Sequence, residues 1–413
     1  MRVSTKQTYE TSLNSMLDQQ SKLSQTQLEI SEGKRILRPS DDPIGSGIAL
    51  NLKQQIAAAK QFSDNGERAD TTLKVVESSL SSVTDVLNRV RELALQGLNG
   101  SLNYSDRESL AIEIERRLDE LVGIGNTQLA DGNYLFSGFR TNVQPFTKDI
   151  AGNVTYNGDQ GRRVLDVNTT VSVQTNLSGS EAFVEIPTGN GSFNTFPSAA
   201  NIGTGVISAG SVIDAAAYVP DTYTVSFATN GAGQLVYSVT DSAAAQIVPV
   251  PPLTVPADAP LYVDGANIEF NGIQFNINGT PSPADSFTVE PSASQNIFET
   301  VQQVIDGLRQ GNHTPALDAA MRNRLNNGLI NLDRAMETVD QNRSVIGARM
   351  NVVESERQIN ENVVVQAETS LSLVEDLDYA EAITRLNRQS VALQAAQQSF
   401  VQVQGLSLFN FIR

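Results

Sequence analysis

The sequence predicts an α+β multidomain protein. Its core is a long antiparallel helical bundle or coiled coil built from both chain termini, with a small β-hairpin region and an inserted all-β outer domain. Three observations carry that prediction. Tyr9, Met16, Leu23 and Ile30 recur every seven residues near the N-terminus, and Tyr379, Leu386, Leu393 and Phe400 do so near the C-terminus, with Ala382, Ala396 and Val403 in companion positions. A seven-residue apolar repeat is a coiled-coil seam, because it holds one narrow stripe against a partner. Twelve of the 15 prolines lie between Pro145 and Pro291, and no Lys or Arg occurs from Val164 to Leu308, so the middle is built differently from the ends.

In chain order, the first heptads stop at Ser31–Arg35, and Arg38-Pro39-Ser40-Asp41-Asp42-Pro43 is a stop-and-restart signal. Pro39 biases Arg38 to an extended conformation. Asp42 caps the next helix, with Pro43 preset at its first position; capping explains the two acids better than a metal site. The helix opens with Ile48, Leu52 and Ile56. It continues through the core seam Leu73, Val76, Leu80, Val83, Leu87 and Val90 between Ala69 and Ala94, and closes at Gly97–Gly100. At 1.5 Å per residue it would be roughly 80 Å long. Ser105 and Glu108 read as a capping box for a third helix bearing Leu110, Ile114, Leu118 and Leu121.

Tyr134–Phe139 reads as the first strand-like piece, and Val154–Val167 as a hairpin turning at Asn157-Gly158-Asp159. Residues from about 175 to 290 read as all-β. Tyr223, Val225 and Phe227 alternate, Asn230-Gly231 turns, and Tyr237 and Val239 return; Ile268 and Phe270 precede Asn271-Gly272, and Ile273, Phe275 and Ile277 follow. Phe287 and Val289 mark a further strand. Helix resumes near Gln295. After the Gly311–Pro315 break comes the second core seam, Leu325, Leu332, Val339, Ile346 and Val353, whose natural partner is the seam of residues 69–94. The expected division is 1–42, an inner N-terminal heptad segment; 43–174, the first part of the long-helix domain; 175–290, the all-β insert; 291–370, the second long-helix part; and 371–413, the C-terminal heptad segment.

The 413 residues carry a formal charge of −17, which argues against nucleic acid and anionic membranes as partners. No run of about 18 apolar residues offers a membrane helix. The N-terminus has no apolar core of a secretory signal, so export would use another machine. There is no cysteine, which removes thiol catalysis and disulfides. The single histidine, His313, reads as a solvated loop residue and cannot form a metal cluster alone. No phosphate loop, dinucleotide fingerprint or zinc motif occurs. The expectation is no enzyme, no cofactor, no metal site, and an assembly seam formed by the terminal heptads.

Several motifs then agree in order. Gly33-Lys34-Arg35 through Pro39–Pro43 resembles the N-terminal signature of the bacterial flagellin family. Arg89–Ala94 through Asn99-Gly100 and Ser105-Asp106-Arg107 is similar to the family's central helical turn, and Ser344–Arg349 to its C-terminal long helix. Asp378–Ala382, Leu393–Gln397, the ending Leu406–Ile412 and Tyr134–Gly138 resemble the hook–filament junction members rather than flagellin itself. Asn278–Pro281 through Asp285–Val289 resembles an outer-domain segment, with Ala284 where a glycine is common. The resemblance covers about 1–167 and 290–413.

It implies a secreted structural protein of the bacterial flagellum. Expected partners are further copies in a ring, the other hook-associated junction protein, flagellin, and an export chaperone at the C-terminal part, with type III export. Alternatives are flagellin itself, or an adhesin or glycan-binding role for the β insert.

Overall fold

The computed structural model describes residues 5–150, 152–251, 254–310 and 314–409, with side chains at the C-terminal end described as far as Gln402. Val403's side chain, His313 and the end of the Leu406–Ile412 motif lie outside the described residues. The described residues form six α-helices: α1 (Thr5–Glu32), α2 (Pro43–Gly97), α3 (Tyr104–Gly125), α4 (Ile297–Leu308), α5 (Pro315–Glu375) and α6 (Tyr379–Phe409). The chain divides into two units. One comprises residues 1–66, 167–170 and 355–413; the other comprises residues 67–166 and 171–354.

In the second unit the core seams are closed. Leu73, Val76, Leu80, Val83, Leu87 and Val90 on α2, and Leu325, Leu332, Val339, Ile346 and Val353 on α5, are all buried. Ion pairs flank them: Arg343 with Glu77 at 2.8 Å, and Arg91 with Asp333 at 2.7 Å. α3 and α4 pack together, and Arg309 reaches from just beyond α4 to Glu108 and Glu115.

Glu108 is therefore not part of the cap. The capping box of α3 is Asn103 with Asp106, each side chain accepting the other's backbone N–H. The expected Ser105/Glu108 box was two residues late, because both pairs satisfy the same spacing rule and Arg309 claims Glu108.

Two further expectations fail nearby. Tyr134–Phe139 is not a strand but a series of turns that bury Leu135 and Phe136. The Val154–Val167 hairpin does not form. Val154–Tyr156 pairs back to Phe146–Lys148, and Val164–Asp166 pairs forward to Ser172–Gln174. The reason lies in two aspartates. Asp149 closes the real turn by accepting the Asn153 backbone N–H. Asp159 is occupied elsewhere, accepting the backbone N–H groups of Phe139 and Gly161.

The β region has two main antiparallel sheets. One has five strands in the order Gln246–Val248, Leu235–Thr240, Tyr223–Thr229, Ser286–Pro291 and Phe193–Pro197. The other runs Asn267–Phe270, Ile273–Asn278 and Val206–Ile207, with Ser211–Val212 also paired to its central strand. Their shared core holds Tyr223, Val225, Phe227, Phe275, Ile277 and Phe287. Asn271 and Gly272, both at positive φ, make the expected two-residue turn. On Leu235–Thr240 the simple alternation breaks: Val236 is buried as well as Val239. Residues 260–262 pair antiparallel beside that strand, the Tyr237 N–H donating to the Pro260 carbonyl and the Tyr262 N–H to the Leu235 carbonyl. Ala284 adopts φ 76° where a glycine would be unstrained. The buried Asp285 carboxylate fixes that turn by accepting the backbone N–H groups of Ile202, Gly203 and Ser282.

Amide side chains on α5 bind the backbone of this β region. Buried Asn323 accepts from Ile207 N–H and donates to the Gly205 carbonyl, both at 2.9 Å. Asn327 donates to the Thr195 carbonyl and Asn331 accepts from Gly189 N–H. Arg334 donates to the carbonyls of Gly189 and Asn190. Spaced mostly by four residues, they form one polar stripe on the helix. The β strands are thus bound by side chains that recognise backbone groups.

Candidate assembly site

α1 and α6 lie side by side in the first unit and run antiparallel. The register is read from three contacts. The rings of Tyr9 and Phe400 are 5.1 Å apart, Gln19 donates to the Gln389 carbonyl, and Arg385 pairs with Glu29 at 2.6 Å. The pair forms because each seven-residue stripe is too narrow to shield itself, and the opposite stripe covers part of it. The cover is incomplete. Met16, Leu23, Ile30, Leu386, Leu393 and Phe400 are only half-buried, and Tyr9 and Tyr379 are 45% and 52% exposed. Among the described residues of the C-terminal seam, Ala382 alone is fully buried.

Where the two helices begin and end, the chain makes a polar junction. α1 stops at Gly33, whose φ of +69° is a glycine conformation, and a Cβ there would lie 2.9 Å from the Tyr379 hydroxyl. Leu377 N–H donates to the Gly33 carbonyl, and Arg35 N–H donates to the Glu375 carbonyl at 2.7 Å. The Glu375 side chain is 10% exposed and receives both Lys34 and Lys53, each at 2.8 Å. Burial pushes its carboxyl up, but the hydrogen bonds from the two ammonium groups outweigh that and hold it below the ordinary glutamate value. Lys34 is correspondingly raised, chiefly by its hydrogen bond to Glu375.

The restart of α2 is also specific. Asp42 accepts the Gly45 N–H at 2.8 Å and the Arg35 guanidinium at 3.3 Å. The Gly45 bond, more than Arg35, lowers its pKa. Gly45 leaves room that any side chain would fill, since a Cβ would press on Asp42 and Ile36. Pro43 begins the helix, as its fixed φ favours. Further along, Lys60 pairs with Glu368 at 2.8 Å, and buried Asn360 donates to the Val167 carbonyl.

Sequence reasoning located the two stripes and the cap but missed the Glu375 hub. Its partners are 341 and 322 positions away, and no local spacing signals such a pairing. Among the described residues no cluster of three or more metal-ligating side chains occurs, and no helix is long and apolar enough to cross a membrane. What the site offers is surface. Besides the half-covered stripe, Ile44, Leu50, Leu373 and Val391 stand well exposed, in a unit whose helices have little interior of their own.

Comparison with known proteins points to one family. Residues 3–141 match the bacterial flagellin N-terminal helical region, and residues 329–412 match the bacterial flagellin C-terminal helical region. Flagellar hook-associated protein 3 of Salmonella typhimurium is 30% identical over 186 residues, which are 45% of this chain and 58% of that protein. Flagellar hook-associated protein 3 of Escherichia coli is 25% identical over 410 residues, 99% of each chain. The crystal structure of flagellar hook-associated protein 3 from Legionella pneumophila is similar with a TM-score of 0.75 and 35% identity, over 78% of this chain and 98% of that one.

Proposed function

From the premise that this chain belongs to the bacterial flagellin family, we propose that it is a structural protein of the flagellum that forms the junction between the hook-associated proteins and the flagellin filament. The observation that carries the reading is the half-covered seam of α1 and α6. A single chain leaves one side of it open to water, and neighbouring subunits would complete it.

In this reading residues 1–42 and 371–413 form an inner layer and residues 43–174 and 291–370 the long-helix layer. Residues 175–290 form a β domain facing outward. The subunits close into a ring that contacts the other hook-associated protein on one side and flagellin on the other. The protein leaves the cell through the flagellar type III apparatus, with a chaperone on the C-terminal segment, and works outside the cell. No catalytic role is assigned.

The similarity to hook-associated protein 3 across the β region favours the junction role over that of a filament subunit. A deletion strain examined by electron microscopy tests it. The expected result is hooks without filaments while flagellin accumulates in the medium. Normal filaments in that strain would overturn the reading.

A further inference from the structure

Two features of the junction around Glu375 point away from each other. The first is a cavity of about 250 Å³ lined by Ile36, Leu37, Pro39 and Leu50, with Arg38, Lys53 and Glu375 also contributing. It is smaller than the ~300–1,000 Å³ typical of small-molecule sites, and its apolar wall suits an aliphatic side chain. It carries two cations, Arg38 and Lys53, against the single carboxylate of Glu375. Lys53 and Lys34 both bind the one carboxylate of Glu375, and the Arg38 guanidinium has no partner among the described residues. The second feature is Leu373, 83% exposed and two residues before Glu375. Two residues on an α-helix are separated by roughly 200°, so Leu373 projects from the side of α5 opposite to Glu375. Three residues on, just past the end of α5, is the exposed Asp376, whose backbone bridges Lys34 and whose carboxylate accepts from the Ser372 hydroxyl.

We propose that Leu373 of one copy seats in the cavity of the next copy, with Asp376 meeting Arg38. The occupant is a second copy of this chain because the same short segment presents an apolar knob with a carboxylate and an apolar socket with a free guanidinium. Knob and socket occupy different faces, so the contact is head-to-tail. Such contacts propagate from copy to copy, as a ring or a helical array, rather than stopping at a dimer. The inference rests on the junction reading above and gives it a specific subunit contact.

The absence of native cysteine makes the test direct. Leu50→Cys and Leu373→Cys are combined in the full-length chain, and flagella isolated from cells are oxidised and run without reductant. The expected result is a ladder of covalent multimers extending beyond two copies, collapsed by reductant and absent for either single variant. A dimer band alone would mean a two-fold contact and would overturn the proposal. So would monomer alone in flagella that contain the protein, or a disulfide to another flagellar protein in place of the ladder.

A charge exchange serves as the second reading where the double cysteine variant is not incorporated. Arg38→Asp and Asp376→Arg should each cut filament attachment by about tenfold, and the two together should recover most of it. Two single variants that behave like the parent, or a combination no better than either, would overturn the proposal. Absence of the unmodified protein from isolated flagella would defeat the junction reading itself, which separates that failure from the failure of this contact.

Discussion

Leu332 and Leu393 both stand on a seven-residue apolar repeat, yet Leu332 is fully buried and Leu393 only half so. The contrast extends along both seams. In the unit of residues 67–166 and 171–354, eleven seam leucines, valines and isoleucines are sealed under ion pairs, α4 and the β region. In the unit that includes both termini, the same pattern pairs only α1 with α6. The lesson is that periodicity locates a stripe without saying what covers it. In one region the chain supplies the cover; in the other it leaves the stripe half open.

The comparison can be broken most severely at its closed end. Leu332→Ala removes a buried side chain at a site that cannot collapse easily, and should cost about 2–5 kcal/mol. Thermal unfolding of the isolated chain should show a drop of several degrees. An unchanged Tm would mean that the long-helix seam is not the stabilising core.

Next comes the polar stripe on α5. Asn323→Ala strands the Ile207 N–H and the Gly205 carbonyl, at about 1–3 kcal/mol for each group left unpaired. The loss should appear in denaturant unfolding together with faster exchange at Ile207. By the same logic, replacing residues 175–290 with a short linker would remove the β-region backbone partners of Asn323 and Asn331. Truncation should therefore weaken the helical core, although its helices persist by circular dichroism.

The Glu375 hub predicts a smaller, pH-dependent effect. A carboxyl held below its unfolded value contributes stability that is present above that value and is lost as pH falls through the folded pKa. Lys34, raised in the fold, contributes stability that is present below its unfolded pKa and is lost as pH rises through the folded one. Protection of the Arg35 and Leu377 amides should therefore hold at neutral pH and be lost in acid, once Glu375 takes up its proton. In Glu375→Gln that acid step should vanish and the neutral-pH rate should rise. An acid step that persists in the variant would assign it to another group.

Phe400→Ala sharpens the comparison from the open end. Phe400 is half-buried and its ring meets Tyr9, a contact worth roughly 0.5–1.5 kcal/mol beyond area burial. The expected Tm change is therefore slight, well below that of Leu332→Ala, whereas filament attachment should fall sharply. Secretion is measured alongside, so that lost export is not mistaken for lost assembly.

Much of this was legible in sequence, for identifiable reasons. The buried seam residues announced themselves by period, and Asp42 with Pro43 by the chemistry of a helix start. Asn271-Gly272 announced a turn because few other pairs tolerate positive φ twice. What escaped was set by competition between distant residues. Asn103 won the α3 cap over Ser105 because Arg309 draws Glu108 away. The 154–167 hairpin lost because Asp159 is tied to Phe139 and Gly161. Glu375 carried no local signature, and the amides of α5 carry none either, because their backbone partners lie more than 100 residues away.

If neighbouring subunits complete the seam, the pair of α1 and α6 is held weakly in a single chain and firmly in the assembly. Hydrogen exchange, measured on the dilute isolated chain and again on assembled flagella, tests it most directly. Residues 9–30 and 380–400 should exchange rapidly in the isolated chain and become protected on assembly, while residues 73–90 and 325–353 stay protected in both. Strong protection of both terminal helices in the dilute chain, equal to that of the core seams, would contradict the account.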